Sequence, residues 1–317
     1  MPLLNAIIKV LNEQKAYWPI SARQVHYRLL GLNAPLKHAS KPKSKYRNDK
    51  DSYQKLISTL TRGRTEGRIP WNAIEDETRP VYEPKAFWNT AQFFRQNFKE
   101  FLKGYWRNRQ QSQPAHIEIV AEKLTVQSIL ETVAEEYTIP LTISRGMASM
   151  PCKKGIVDRF FQSKKQKLIL LILSDLAPAG DAIAEDLVKC FGRDFGINYD
   201  SDYSIEAYKV GLTIEQVEEF NLQPSMDAKE NSPTYKTFVD RYGITHAYEL
   251  EAMEPRDLAL ALEIAIDEVM DLDLYNQELI AEETDSVQIS AVKAQAQEFL
   301  NSLKLDHAEV LGNRGAE

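Results

Sequence analysis

Apolar residues recur at helical spacing from the start of the chain: Leu4, Ile7, Ile8 and Leu11 form a stripe that predicts a helix over about 2–15. Trp18-Pro19 breaks it. Ser21 has the chemistry of an N-cap, and SARQVHYRLLG predicts a second helix ended by Gly31. A loop dense in Lys, Ser, Pro and Asn follows. Asp51 or Ser52 is then expected to cap a third helix through SYQKLISTLTRGRTEG, ending near Gly67. RIPWNAIEDETRPVY reads as short extended pieces with a turn. Three helices and a small hairpin is the order of a winged helix, a helix-turn-helix relative. From Ala86 to about Gln113 an aromatic-rich helix is expected to lead into the polar run RNRQQSQPA, where the domain boundary is placed.

Beyond that boundary the pattern alternates. IEIVAE, IPLTIS, KLILLILSD and SIEAYKVGL read as strands, and LTVQSILETVAEEY, the stretch from about Lys154 to Ser163, and GDAIAEDLVKCFG read as the helices between them. KLILLIL is apolar throughout, as a central parallel strand is. The βαβαβαβ order predicts a parallel sheet with helices on both faces. From Arg256 the tail reads as helical, and its stretch Glu282 to Glu298 is acidic and fairly rich in alanine. The expected fold class is therefore α/β plus α+β. Its divisions are 1–85 for the DNA-binding layout, 86–113 for a helical linker, 114–255 for the α/β domain and 256–317 for the helical tail.

Charge changes the picture more than composition does. The net charge of −7 over 317 residues conceals a split. Residues 1–113 carry 21 Lys and Arg against nine acids, a balance of +12, and the remainder carries 18 against 37, a balance of −19. A basic half suits a polyanion and an acidic half suits cations, although a merely dipolar surface is the plain alternative. Lys55, Arg62, Arg64 and Arg68 on or just after the third helix, with Lys41, Lys43, Lys45 and Arg47 in the loop before it, compose a phosphate-binding surface for double-stranded DNA. The alternative is a solvated basic face. No apolar run is long enough to span a bilayer, and the N-terminus lacks a signal-peptide pattern. Two isolated cysteines, Cys152 and Cys190, exclude a disulfide framework. A cytoplasmic protein, nucleoid-associated in a bacterium or archaeon, is the expectation.

Ligands of open parallel sheets bind beyond the carboxyl ends of the strands. Glu122 ends the first strand and Asp175 the third, so if those strands are neighbours the two carboxylates converge. Hard oxygen donors of this kind suit Mg²⁺, which completes its shell with water and phosphate. The competing reading is two acids that cap loops and helix N-termini. On the second helix, Ala22, Val25 and Leu29 share one side, while Arg23 and Tyr27 fall together on roughly the opposite side. Tyr27 is thus expected outside the core, either as a reactive group or as an Arg–Tyr pair in cation–π contact or bound to DNA. His26, between the faces, reads as packing.

The segments IEIVAEKLT, SRGMAS and LILLILSDLAPAGDAI resemble the Toprim fold, and SARQVHYRLLG and RIPWNAIEDETR resemble the winged-helix half of proteins related to the topoisomerase VI A subunit. That group includes the meiotic double-strand-break protein and smaller stand-alone relatives. The resemblance runs to about Pro255, with YELEAMEP similar to a late Toprim-side motif. It implies an isomerase-like DNA-cleaving activity in which Tyr27 attacks a phosphodiester and forms a tyrosyl–DNA link. Arg23 then stabilises charge, Glu122 and Asp175 hold Mg²⁺, and a homodimer composes each site from two chains. The family's Asp-x-Asp is Asp175-Leu176-Ala177 here, so the second acid is missing. Asp181, Lys229 and Glu251 are accessory candidates. Two alternatives stay open: a metal-dependent nuclease using water, and a non-catalytic DNA-binding protein with a degenerate site. No Gly-rich phosphate loop is present, so energy coupling would need a separate ATPase subunit.

Overall fold

The computed structural model describes residues 1–32, 35–74, 85–88, 90–198 and 202–302. The described residues of 1–79 and 113–271 form one compact unit, and those of 80–112 and 272–317 form a second.

In the first unit, α1 (Pro2–Glu13), α2 (Ala22–Gly31) and α3 (Lys50–Thr65) enclose a core of Leu3, Leu4, Ile7, Leu11, Val25, Leu29, Leu56 and Leu60. The capping of α2 is as expected: Gln24 N–H donates to Ser21 Oγ, and the Gln24 side chain accepts from Ser21 N–H. The cap of α3 is neither Asp51 nor Ser52. Asp49 has extended backbone, and its carboxylate accepts from Ser52 N–H at 2.6 Å, which places Ser52 inside the first turn. Ile69 is buried, and Ile74 pairs with Ile20 in an isolated parallel bridge. Most of the expected hairpin, residues 75–84, lies outside the described residues.

Four parallel strands follow: β1 (Ala115–Ala121), β2 (Leu141–Ile143), β3 (Lys167–Leu173) and β4 (Ser204–Gly211), in the order β2-β1-β3-β4. Their connections carry α5 (Gln127–Tyr137), α6 (Met150–Ser163) and α7 (Pro178–Phe195). Side chains alternate across β3. Leu168, Leu170 and Ile172 join the core under α6 and α7, which leaves Ile169, Leu171 and Leu173 for the opposite face. That burial on both faces explains the unbroken apolar run. Glu118, wholly buried in β1, is tolerated because Arg159 grips both of its oxygens, at 2.7 and 2.8 Å. After β4 come α8 (Ile214–Glu219), β5 (Met226–Asp227), α9 (Tyr235–Tyr242) and β6 (His246–Ala247), with β5 and β6 antiparallel. Next is α10 (Pro255–Val269), which packs on β3, β4 and α5; this first helix of the tail is part of the sheet's own unit.

The second unit contains α4 (Thr90–Glu100) and α11 (Leu272–Ser302). The helix expected from Ala86 towards Gln113 is thus confined to 11 residues, and Gly104, at φ +73°, lies in the turns beyond it. Among the described residues no helix is long and apolar enough to cross a membrane.

Candidate functional site

The two faces of α2 separate as the helical wheel requires, but the second face does not meet water. Tyr27 is only 7% exposed, which corrects the expectation of a tyrosine outside the packed interior. It is covered by the segment after β6, more than 200 residues away in sequence. Its hydroxyl donates to Glu249 Oε2 at 2.5 Å. A phenol has one proton, so the Ser225 hydroxyl, 2.9 Å from the phenolic oxygen, serves as donor in that second contact. Ser225 Oγ in turn accepts Glu249 N–H at 3.1 Å.

Arg23 closes the same carboxylate from the other side. Its Nε and Nη2 donate to Glu249 Oε2 and Oε1 at 2.9 and 2.7 Å, a bidentate pair, and its Nε lies 4.0 Å from Glu251 Oε2. The guanidinium also lies 5.8 Å from the centre of the Tyr27 ring and 5.5 Å from that of Tyr53, so the cation–π contact is present alongside the ion pair. One turn on, Arg28 donates to Glu254 Oε1 and to the Ala252 carbonyl, both at 2.5 Å. His26 is buried, with Nδ1 2.6 Å from Tyr46 Oη and Nε2 3.2 Å from Asn48 Oδ1. Burial pushes its pKa down, so it packs as a neutral ring.

These contacts set the protonation of the cluster. Burial first, and then the carboxylate of Glu249, pushes the Tyr27 phenol well above its ordinary value. Burial alone would raise Glu249, but the hydrogen bonds from Arg23 and Tyr27 bring it below the usual range. For Glu251 burial, joined by the neighbouring Glu249 charge, outweighs Thr125, Lys123 and Arg23, and its pKa is raised. Tyr27 is therefore held as the neutral phenol beside an ionised acceptor.

At the sheet edge the expected convergence occurs. Strands β1 and β3 are neighbours in register, with Ala121 opposite Leu173, and Asp175 N–H donates to Glu122 Oε2 at 3.1 Å. Asp175 Oδ1 accepts Leu250 N–H at 2.9 Å, and Oδ2 pairs with Lys123 Nζ at 2.8 Å. Burial, and then the nearby Asp175, raises the pKa of Glu122. The two halves of the site are thus joined through consecutive residues: Glu249 holds Tyr27, and Leu250 holds Asp175.

A cavity of about 230 Å³ opens here, lined by Glu122, Asp175, Ala177, Gly180, Lys229 and Glu249. Gly180 makes the room. A Cβ at that position would stand 3.1 Å from Glu122 Oε2 and would collide with the Asp175 carbonyl oxygen. Two carboxylates, Glu122 and Asp175, border this largely apolar cavity, and hard oxygen donors of this kind suit Mg²⁺, which takes its remaining ligands from water and phosphate. Lys123 competes with such an ion for Asp175. Among the described residues no group of three or more His, Cys, Asp or Glu is arranged to hold a metal.

The accessory candidates divide. Asp181 accepts from Tyr242 Oη at 2.8 Å and Arg241 Nη1 at 2.7 Å, and Lys209 Nζ, 3.6 Å from it, donates to the Asp175 carbonyl at 3.1 Å. Lys229 is exposed at the cavity, and Glu251 is buried towards Arg23. Ala177 occupies the N-cap of α7 and gives it no side-chain cap. Ala177→Asp is therefore expected to do two things: cap the helix, worth about 1 kcal/mol, and add a third carboxylate beside Glu122 and Asp175. Thermal melts with and without Mg²⁺ check this, with a larger Mg²⁺-dependent rise in Tm expected for the variant than for the parent.

On the basic surface, Lys41, Lys43, Lys45, Arg47, Lys55, Arg62 and Arg68 are exposed, Arg62 being 3.6 Å from Glu66. Arg64 differs from the rest. It donates to the Ile74 carbonyl and lies 5.5 Å from the centre of the Trp71 ring, and burial lowers its pKa. It pins the segment after α3. Sequence reasoning had missed Glu249, Ser225, Lys123 and Lys209 as parts of the site. Glu249 and Lys123 stand inside segments already singled out, YELEAMEP and IEIVAEKLT; nothing local marks Ser225. The chain matches no protein-family model, no curated protein and no solved structure.

Proposed function

We propose that this chain binds duplex DNA through the basic N-terminal helices and cuts it by transesterification, with Tyr27 as nucleophile, in the manner of the topoisomerase VI A subunit and its Toprim-containing relatives. The observation that carries the reading is the meeting of the Arg23–Tyr27 face of α2 with Glu249, whose neighbour Leu250 binds Asp175 at the sheet edge. In the reaction, Tyr27 Oη forms a bond to phosphorus as its proton passes to Glu249, and the bond from phosphorus to the leaving sugar oxygen breaks. That oxygen leaves as an alkoxide and takes a proton from water. Arg23, freed from Glu249 as the carboxylate is protonated, supplies positive charge to the phosphoryl oxygens. Mg²⁺ held by Glu122 and Asp175 would polarise the phosphodiester and support the leaving oxygen.

Denaturing a reaction of the protein with supercoiled plasmid and Mg²⁺ tests the reading, the expected product being protein-linked DNA. Cleavage without a protein link would point to water as the nucleophile. A second reading, a non-catalytic DNA-binding protein, is favoured by Ala177 and by Lys123 on Asp175, and it predicts no cleavage at all.

Binding itself has a separate signature. Affinity for duplex DNA is expected to fall by ~10³ or more between about 50 and 200 mM salt, the behaviour of roughly six to ten phosphate contacts. Reversing Lys55 and Arg62 together should weaken binding and reduce the salt slope by about two. Arg64 is unsuitable for that test because its loss would also free the segment after α3.

A further inference from the structure

Residues 85–106 are built differently from the rest of the chain. Eight of the 30 aromatic residues fall in these 22 positions, including two of the four tryptophans and five of the twelve phenylalanines. Leu102 is the single large aliphatic residue among them. Six of the eight rings are exposed, and Phe87 and Phe98 are half-buried. Trp88 is 94% exposed and Trp106 57%, and Phe93, Phe94, Phe101 and Tyr105 are exposed as well. Exposed apolar groups gathered in this way mark an interaction surface.

Charge identifies the partner. Lys85, Lys99 and Lys103 interleave with the rings, and Lys85 and Lys99 have no acidic partner among the described residues. Farther along, the cations are already used: Arg107 pairs with Glu278 and Asp285, and Arg109 with Glu282, which ties this end of the segment to α11. The anchored end is neutralised, and the aromatic end keeps its positive charge. Ring contacts within the segment, Phe87–Phe93, Phe93–Phe94 and Phe98–Phe101, are edge-on or tilted rather than stacked. A membrane-binding helix would bury aliphatic side chains as well as rings, and α4 has no Leu, Ile, Val or Met.

From this we infer that residues 85–106 bind single-stranded nucleic acid, with bases stacking on the exposed rings and phosphates meeting Lys85, Lys99 and Lys103. These residues belong to the second unit, and the inference does not depend on the cleavage reading. Stacking tolerates any base, so little sequence preference is expected.

Fluorescence anisotropy of the full chain with labelled oligo(dT) and oligo(U) of about 20 nucleotides tests the inference, against a triple variant Trp88→Ala, Phe94→Ala, Phe101→Ala. All three side chains are exposed, so the fold should be retained, and circular dichroism would verify it. The expected result is at least tenfold weaker binding of one or both oligonucleotides, with duplex affinity changed less than twofold. Lys99→Glu should weaken the same binding and flatten its salt dependence. Unchanged oligonucleotide affinity in the triple variant overturns the proposal. So does an equal loss for duplex and single strand, or an effect seen only on self-association by sedimentation or on binding to anionic vesicles.

Discussion

Tyr27→Phe is expected to remove protein-linked DNA, lowering its yield by about 10³-fold or more, as loss of a nucleophile does. The rest of the molecule should change little. Phenylalanine keeps the ring among His26 and Arg23 and loses the hydrogen bonds with Glu249 and Ser225, a cost of about 2 kcal/mol. Arg23 still satisfies both oxygens of that carboxylate. The folded variant should therefore bind duplex DNA as the parent does, which separates chemistry from binding. Mixing this variant with Glu122→Ala also bears on the proposed homodimer. Recovered cleavage in the mixture would mean that tyrosine and carboxylates act from different chains, as the resemblance implies. If Tyr27→Phe nicks plasmid as fast as the parent, the tyrosine is not the nucleophile.

Glu249→Ala is expected to have the largest effect on stability among the site residues. It strips Tyr27 of its acceptor and leaves Arg23, whose side chain is 36% exposed, without its bidentate partner. Breaking a fully buried pair costs about 3–5 kcal/mol; the exposure of Arg23 reduces the expected loss to roughly 2–3 kcal/mol. For a unit of this size that lowers Tm by about 5–10 °C. Glu249→Gln keeps an acceptor for Tyr27 and should lose about half as much. Acid should mimic the change. The pKa of Glu249 is depressed in the folded state, so its contribution is complete above the ordinary glutamate value and is lost as pH falls through the folded value. Glu251, raised by burial, works in the opposite sense and takes up its proton first. Thermal melts of parent and Glu249→Gln between about pH 3 and 7 check this, and the two curves should converge at the acid end.

Much of the architecture was legible because local rules govern it. The apolar run of β3 marks a strand buried on both faces, and the capping box at Ser21 marks where α2 starts. The meeting of Glu122 and Asp175 was conditional on one topological fact, that β1 and β3 are neighbours; given that pairing, parallel register brings their ends together. The cap of α3 is ambiguous in the sequence because Asp49, Asp51 and Ser52 all have capping chemistry. Only backbone conformation selects among them, and Asp49 is the one with extended φ and ψ. The helix predicted after Ala86 runs too long because aromatic spacing continues beyond Glu100, while the backbone leaves the helix there and turns left-handed at Leu102 (φ +55°) and again at Gly104 (φ +73°).

Periodicity and composition alone show which residues of α2 share a face, where the parallel strands run and that basic charge gathers in the first third of the chain. Tertiary structure alone decided what the Arg23–Tyr27 face meets. Periodicity reports which side chains point the same way, but it holds no information on whether that direction leads to water or to a carboxylate 222 residues away. The same limit hid a contact of Arg64, which looks like its neighbours in sequence but donates to the Ile74 carbonyl. A charge acquires its role from its nearest partner, and in both cases chain folding, rather than spacing along the chain, supplies that partner.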